Sequence, residues 1–427
     1  MKYLLSRYNI ASDVISGNVA VFNSLTQNLA IFSAEEYTNL TELDSDSQAA
    51  KFGFLVPDLL NEFELAQRVN RKLRNQEKDG LALTIVPSEA CNFSCGYCYN
   101  GTGHSKGNTR LAALNALSYA QSNLHPTESL HVTWYGGEPT MFMKEIREFS
   151  KKFLALCDDF GSEYSADILT NGSLLTSEYV EQFVDAKIQH VQISVDWPLE
   201  TSQRKWGRRD SRDALLEIVK NASLLSKKVS TTIRVNAMPQ FLSTFSDFLE
   251  IVRPLRGSAA IYLHRVHESN IFEMNDVRSA DFRYKSIPRF YEDYLVAKRE
   301  LRAAGFNQDF YPRSFESSIC IAQTDRDLIF TPDGVAKKCV KEISGDGVSL
   351  ALNRTPLLGT TRIDFYRHGE VAANSECAQC SFLPICHGGC VKDMFESPGE
   401  IDGRCTPWRY TLASDLSDFL KEQLCKS

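Results

Sequence analysis

The sequence predicts an α/β protein with a mostly parallel central sheet. From residue 81 onward, short β-rich runs alternate with helical patterns, six such pairs follow one another, and no internal repeat interrupts them. The expected strands are Leu81 to Val86, Leu130 to Tyr135, Ala166 to Thr170, His190 to Val195, Thr231 to Val235 and Ala259 to Leu263. Between them, Arg110 to Asn123, Met143 to Cys157, Ser177 to Ala186, Ser211 to Leu225 and Ser243 to Val252 carry helical periodicity. Six βα repeats make a partial (β/α)6 barrel of TIM-like form, in which reactive groups gather at the C-terminal strand ends.

Residues 1–78 differ in character and show no βα alternation. Val19 to Phe22 and Leu29 to Phe32 flank a polar turn through Thr26, Gln27 and Asn28, the pattern of a β-hairpin, and helical patterns follow at Ala34 to Leu43 and Pro57 to Arg74. This segment is expected to form a separate hairpin and helix domain or cap. The barrel is expected over 79–310, a cysteine-rich domain over 311–410, and a C-terminal helix over 411–427 packing back on the barrel.

The chain has 427 residues, 43% of them hydrophobic, enough for two or three domains. It contains no run near the roughly 18 apolar residues of a membrane span. A formal net charge of −7 with dispersed basic residues gives no electrostatic case for nucleic acid. Met1 to Tyr8 lacks the continuous apolar core and cleavage site of a secretion signal, so the expectation is a cytoplasmic protein without a membrane partner. Seven of the twelve cysteines fall between Cys320 and Cys405. In a reducing compartment such clustering argues for metal rather than disulfides.

The first expected strand runs into Cys91-Asn92-Phe93-Ser94-Cys95-Gly96-Tyr97-Cys98. Three thiolates on one tight loop can hold three corners of a 4Fe-4S cluster and leave the fourth iron open. Zinc sites generally show CxxC pairs and need a fourth ligand, so CxxxCxxC alone fits zinc poorly. The spacing, with an aromatic (Tyr97) before the third cysteine, resembles the radical S-adenosylmethionine (SAM) enzymes. That resemblance extends to other strand ends. Gly136-Gly137-Glu138-Pro139 resembles the run that binds the methionyl amino group, with glycines admitting the ligand and Glu138 accepting from the ammonium. Asn171 lies in a Thr-Asn-Gly run like that of the family's third strand, where an ordinary turn is the competing reading. Ser194, in Ser194-Val195-Asp196, matches a serine that approaches the ribose. Trp197 stands where the family usually has glycine, a departure that bears on the local backbone and the substrate cavity. Arg204, Arg208 and Arg209 are candidates for a clamp on the methionyl carboxylate, Arg208 foremost. Asn236 matches a fifth-strand asparagine, with core or capping roles as alternatives.

The second array runs Cys320, Gly334, Cys339, Cys377, Cys380, Cys386, Cys390 and Cys405. It is similar in full to the seven-cysteine SPASM extension of radical SAM enzymes, which binds two auxiliary Fe-S clusters. A zinc ribbon could use Cys377, Cys380, Cys386 and Cys390 but leaves the other three unexplained. The resemblance places Cys377, Cys380, Cys386 and Cys405 on an outer cluster, and Cys320, Cys339 and Cys390 on an inner one. The motifs supply ten cysteines where full ligation needs eleven, so one inner position is open, with Asp325 and Asp327 as substitutes in reach of sequence. Cys157 and Cys425 are expected to be inert buried thiols.

The fold so implied is a radical SAM barrel with an N-terminal winged-helix-like domain and a C-terminal SPASM domain. The implied cofactors are SAM and three 4Fe-4S clusters, with a flavodoxin- or ferredoxin-type reductase as partner. SPASM proteins mostly act on peptides or proteins, so the leading expectation is a maturase of a ribosomally made precursor peptide that installs a carbon-carbon or thioether crosslink. An anaerobic sulfatase-type maturase forming formylglycine is the alternative. In those enzymes an aspartate follows the second SPASM cysteine, whereas Val340 and Lys341 follow Cys339. A non-catalytic metal-binding or peptide-carrier protein is the third possibility, and the intact Gly136 to Pro139 run argues against it. No residue is assigned as catalytic acid or base.

Overall fold

The computed structural model describes residues 2–42, 45–75, 80–95, 97–98, 108–199, 212–266, 284–312, 319–343, 349–350, 360–372, 375–397, 399 and 401–426. The chain divides into two compact units, one of residues 1–76, 308–325 and 364–427, the other of residues 77–307 and 326–363.

The first unit opens with β1 (Tyr3–Leu5), β2 (Asn9–Ala11), β3 (Asn18–Asn23), β4 (Leu29–Ser33), α1 (Ala34–Asn39), α2 (Gln48–Lys51), β5 (Leu55–Pro57) and α3 (Glu62–Asn75). The expected hairpin is β3 and β4, and β2 adds to it in the antiparallel order β2-β3-β4. Ser33 starts α1 through a capping box: its side chain accepts from Glu36 N while the Glu36 carboxylate accepts from Ser33 N.

The second unit holds the barrel. Its elements are β6 (Gly80–Ile85), α4 (Leu111–Asn123), β7 (Ser129–Trp134), α5 (Met143–Phe160), β8 (Tyr164–Thr170), α6 (Ser177–Asp185), β9 (Ile188–Trp197), α7 (Arg212–Leu225), β10 (Ser230–Ala237), α8 (Phe245–Val252), β11 (Ala260–Arg265) and α9 (Ile287–Ala303). β6 to β11 pair in parallel in chain order. All six expected strands and all five expected helices are present, within a few residues at each end. Period-2 alternation explains the strands. Val191, Ile193, Val195 and Trp197 of β9 are buried while His190, Gln192 and Ser194 are partly exposed, so the first set packs beneath helices and the second lines the opposite face. Helix α5 buries Met143, Ile146, Phe149, Phe153 and Leu156 at three- and four-residue steps. Each such large side chain contributes about 1.5–3 kcal/mol on burial.

The sheet continues past β6. Strand β12 (Leu328–Phe330) pairs in parallel with β6, and β13 (Ala336–Lys337) and β14 (Ser349–Leu350) follow antiparallel. Arg326 fixes the approach to β12. Its guanidinium donates to both Glu128 oxygens, at 2.7 and 2.6 Å, just before β7. The Arg326 hydrogen bonds hold the Glu128 carboxyl down from its ordinary 4.5 to about 2, with burial opposing. A depressed carboxylate stabilises the fold above its unfolded value and loses that contribution as pH falls through the folded value. Glu128→Gln is therefore expected to cost about 2 kcal/mol at neutral pH, after allowance for partial exposure. The difference from the parent should shrink as pH falls from about 4.5 towards about 2; urea unfolding at several pH values measures it, and a pH-independent difference would contradict it.

The remaining elements are α10 (Thr360–His368), α11 (Leu383–Cys386), α12 (Val391–Glu396) and α13 (Trp408–Lys426). Residues 1–78 bury a cluster of their own, Val19, Val21, Leu40, Ala49, Phe54 and Leu55, and share a second one: Tyr8 and Ala66 pack with Val371, Ala378, Leu383 and Met394 of the cysteine-rich segment. Arg7 Nη2 donates to Ala378 O at 2.7 Å and Gln67 Nε2 to Val371 O at 3.0 Å. Helix α13, expected on the barrel, buries Leu412, Leu416 and Leu420 against Ile10, Ala20 and Phe22 of the three-stranded sheet. Boundaries at 310 and 410 thus do not coincide with the units, because β12 to β14 extend the barrel sheet while residues 364–427 build on the N-terminal segment. No helix among the described residues is long and apolar enough to cross a membrane.

Candidate cluster and cofactor site

The chain leaving β6 carries the three cysteines, and the loop after β7 forms its bed. Tyr135 N donates to Ile85 O at 2.9 Å, Gly137 N to Ser88 O at 3.1 Å and Glu138 N to Ala90 O at 2.9 Å. A Cβ on Gly137 would lie 2.1 Å from Ala90 O, and one on Gly136, at φ +126°, would lie 2.6 Å from Ser88 O. The two glycines were expected to let a ligand approach. What approaches them is the backbone that delivers Cys91, and only residues without a Cβ permit that contact.

Glu138 also departs from expectation. Its side chain is fully buried. Oε1 accepts from Thr140 N at 3.0 Å, from the Thr140 hydroxyl and from the Thr170 hydroxyl at 2.7 Å, and Oε2 accepts from Asn171 N at 2.7 Å. Burial raises its pKa, and these hydrogen bonds oppose the rise. The carboxylate therefore ties the loop after β7 to the end of β8, rather than standing open to a methionyl ammonium.

Two polar latches hold the cysteine loop. On the β8 side, Asn171 Nδ2 donates to Asn92 Oδ1 at 2.9 Å and lies 3.8 Å from Cys91 Sγ. Asn92 Nδ2 donates to Ser173 Oγ at 2.9 Å, and Ser173 N donates to Asn171 Oδ1 at 2.9 Å. On the β9 and β10 side, the Tyr97 hydroxyl donates to Asp196 Oδ1 at 2.6 Å, and Asn236 Nδ2 donates to Asp196 Oδ1 at 3.0 Å and Tyr97 Oη at 3.1 Å. Asp196 and Asn236 are buried. These latches bring Tyr97, Asn171 and Asn236 to one loop, through partners to which the sequence reading gave no role. Asn92, Ser173 and Asp196 carry the contacts, and for Asp196 the alternation of β9 was a usable signal, since it falls on the same face as Ser194.

Tyr97→Phe removes one donor from a buried carboxylate and is expected to cost about 1–3 kcal/mol. Iron should then leave the loop faster in the presence of a chelator, with total loading initially unchanged. Equal rates of iron loss in Tyr97→Phe and parent would remove this latch from the argument.

Ser194 is partly exposed on the same strand face as Asp196 and pairs in register with Arg234. Arg204, Arg208 and Arg209 lie outside the described residues, as does Gly96. Trp197, expected to alter the substrate cavity, instead faces the helices: it is buried, and its ring lies 5.3 Å from that of Phe248 on α8. One residue of alternation separates it from the Asp196 face.

In the first unit, Cys377, Cys380, Cys386 and Cys405 line a single pocket. They are the four thiols grouped by the SPASM resemblance. Burial pushes the Cys386 thiol up to about 12, with the charges of Cys405, Cys380 and Cys377 adding to it and a hydrogen bond from Thr406 N–H opposing. Cys405 is raised by burial too, against the pull of Arg409. Among the described residues, no three His, Cys, Asp or Glu side chains close on a single metal ion.

Cys320 and Cys390 belong to the first unit and Cys339 to the second. Of the substitute ligands, Asp327 is buried, and its Oδ1 accepts from Ala82 N at 2.9 Å, so its carboxylate is committed to the start of β6. Asp325 is exposed and pairs with Arg367 at 3.3 Å. Cys157 is buried and burial raises its thiol to about 11, as expected of an inert thiol, but Cys425 is exposed, so that expectation is corrected.

Comparison with known proteins agrees with this geometry. Residues 85–252 match the model of the radical SAM superfamily. An uncharacterized protein of Methanocaldococcus jannaschii is 26% identical over 184 residues, 43% of this chain and 56% of that one. The chain thus spans about half the length of the first curated relatives it matches. The serine-type anaerobic sulfatase-maturating enzyme of Bacteroides thetaiotaomicron is 23% identical over 348 residues, 71% of this chain and 81% of that one. Among solved structures, Streptococcus suis SuiB bound to S-adenosylmethionine is similar in fold, with a TM-score of 0.53 at 15% identity, covering 96% of this chain and 100% of that one. A second SuiB structure, bound to its precursor peptide SuiA, gives a TM-score of 0.51. The family implies SAM and one 4Fe-4S cluster. Cys91, Cys95 and Cys98, partly exposed on a loop pinned at both sides, fit that donor set.

Proposed function

We propose that this chain is a radical SAM maturase that abstracts hydrogen from a ribosomal precursor peptide and installs a carbon-carbon or thioether crosslink. The observation that carries the reading is the four-thiol cavity of the first unit, in a chain whose second unit holds a separate three-cysteine loop. When bound, the cluster and SAM supply one-electron cleavage of the sulfonium to a carbon radical, chemistry the cofactor brings with it. The protein's task is to seat the loop through the latches at Asn171 and Asp196, and to keep Cys91, Cys95 and Cys98 deprotonated by coordination. Cys377, Cys380, Cys386 and Cys405 would hold an outer auxiliary cluster, and Cys320, Cys339 and Cys390 an inner one with an open iron. Ser194 and Arg208 remain proposed SAM contacts. A flavodoxin- or ferredoxin-type reductase would supply electrons in a cytoplasmic setting.

Support for a peptide substrate comes from the SuiB likeness and from the edge of the β2-β3-β4 sheet, which no further strand pairs with among the described residues and where an extended leader could add as a strand. Since residues 1–78 share a buried cluster with the cysteine-rich segment, deleting them would test folding rather than recognition. A proline at Ala30 or Ile31 of β4 is the better probe. The N–H groups of consecutive strand residues point to opposite edges, so one of the two substitutions blocks added pairing while sparing β3.

A second reading is favoured by the Bacteroides relative, which covers most of both chains: oxidation of a cysteine or serine to formylglycine. Val340 after Cys339 counts against it. Anaerobically purified protein is expected to hold about twelve irons, for three clusters, and to release 5′-deoxyadenosine on dithionite reduction. Incubation with the product of a short reading frame beside the gene should remove two hydrogens from the peptide while all its residues stay intact. Formylglycine formed in a cysteine- or serine-containing sulfatase peptide, with no change in the neighbouring peptide, would replace the crosslinking proposal.

A further inference from the structure

The cavity of Cys377, Cys380, Cys386 and Cys405 is unusual in its charge. No carboxylate is found among its described lining residues, while Arg404 and Arg409 both reach it. Arg409 Nη1 donates to Cys405 Sγ at 3.1 Å. Arg409 is half-buried, and among the described residues its guanidinium makes this bond to a thiol and no ion pair with a carboxylate. Further donors point the same way: Thr406 N–H hydrogen-bonds Cys386 and the Tyr410 hydroxyl hydrogen-bonds Cys405. Arg409 sits one helical turn after Cys405, at the start of α13, whose leucines anchor it to the three-stranded sheet. The guanidinium is therefore held in place by the helix rather than by a long flexible excursion.

We propose that Arg409 raises the reduction potential of the cluster held by Cys377, Cys380, Cys386 and Cys405, making it an electron-accepting site; this rests on the reading of those four thiols as a cluster site. Uptake of one electron from a one-electron donor adds one negative charge and no proton. Hydrogen bonds to cluster sulfurs and nearby fixed cations favour the more negative state, and burial lessens screening of that effect. In the proposed reaction the donor is a substrate radical that loses a second electron after hydrogen abstraction; in the experiment it is dithionite. Arg409 acts through the sulfur of Cys405 and touches no substrate, so it is a positioning residue.

The test uses the anaerobic holoenzyme, iron analysis and a redox titration followed by electron paramagnetic resonance. Cys405→Ala identifies the signal of this cluster by removing it. Arg409→Gln is expected to retain its iron and move that signal to a more negative midpoint while the other signals stay fixed. Arg409→Lys keeps the charge but not the planar donor, and should shift the midpoint less in the same direction. A midpoint at or above the parent's, in whichever variant retains its iron, overturns the proposal. Loss of the cluster from both variants also overturns it, since Arg409 would then serve retention rather than potential. Iron content unchanged by Cys405→Ala and Cys377→Ala would instead sink the reading of the cavity as a cluster site.

Discussion

Cys95→Ala is expected to abolish reductive cleavage of SAM, with 5′-deoxyadenosine falling to background after dithionite treatment. In the proposed function the three cysteines of the loop hold the SAM-binding cluster, and two thiolates cannot hold three corners. The same outcome is expected for Cys91 and Cys98. Cys91 is also the thiol within 3.8 Å of Asn171, so its loss should loosen the β8 latch as well. Iron should fall by about a third, since the other proposed clusters lie on separate cysteines. Undiminished 5′-deoxyadenosine from Cys95→Ala would exclude the loop as the SAM cluster.

The second large effect belongs to Glu138. Replacing it with alanine removes a buried carboxylate that four donors share, and leaves the backbone N–H groups of Thr140 and Asn171 without their acceptor. Breaking such a network typically costs about 3–5 kcal/mol. The expected result is a marked fall in unfolding midpoint in denaturant, accompanied by poor cluster loading, because the cysteine loop lies on the backbone that Glu138 braces. Glu138→Gln should be milder, since it keeps the shape and one acceptor. Full stability and iron content in Glu138→Ala, with only SAM affinity reduced, would restore the ligand role that the sequence led one to expect.

Much of the barrel was legible because its determinants are local. Strand alternation and the three- to four-residue recurrence on α5 repeat within a dozen residues, so the six strands could be located from 81–263 before any contact was known. The grouping of Cys377, Cys380, Cys386 and Cys405 followed from resemblance, and the structure lines one cavity with the same four thiols. The roles of Glu138 and Trp197 were not legible. Trp197 sits at the end of β9, where a shift of one residue exchanges a face under helices for the face bearing the site, and Glu138 lies in the loop after β7, where no periodicity marks which way a side chain turns. Asp196 was visible only as part of a motif, because its partners Tyr97 and Asn236 are 99 and 40 residues away.

By itself the sequence determined the order of the βα units, the position of the three-cysteine loop after the first of them and the spacing of the later cysteines. Those properties reside in spacing and periodicity, which survive without knowledge of distant neighbours. Tertiary structure decided that the N-terminal hairpin, α3 and α13 share a core with the four-thiol segment, that the glycine run seats a backbone, and that Glu138 braces two strand ends. The reason is physical: each depends on burial against groups remote in the chain, as when Tyr8 and Ala66 meet Leu383 and Met394. Apolar surface carries no label of its partner, so the pairing is settled only when the packed interior excludes water from both sides at once.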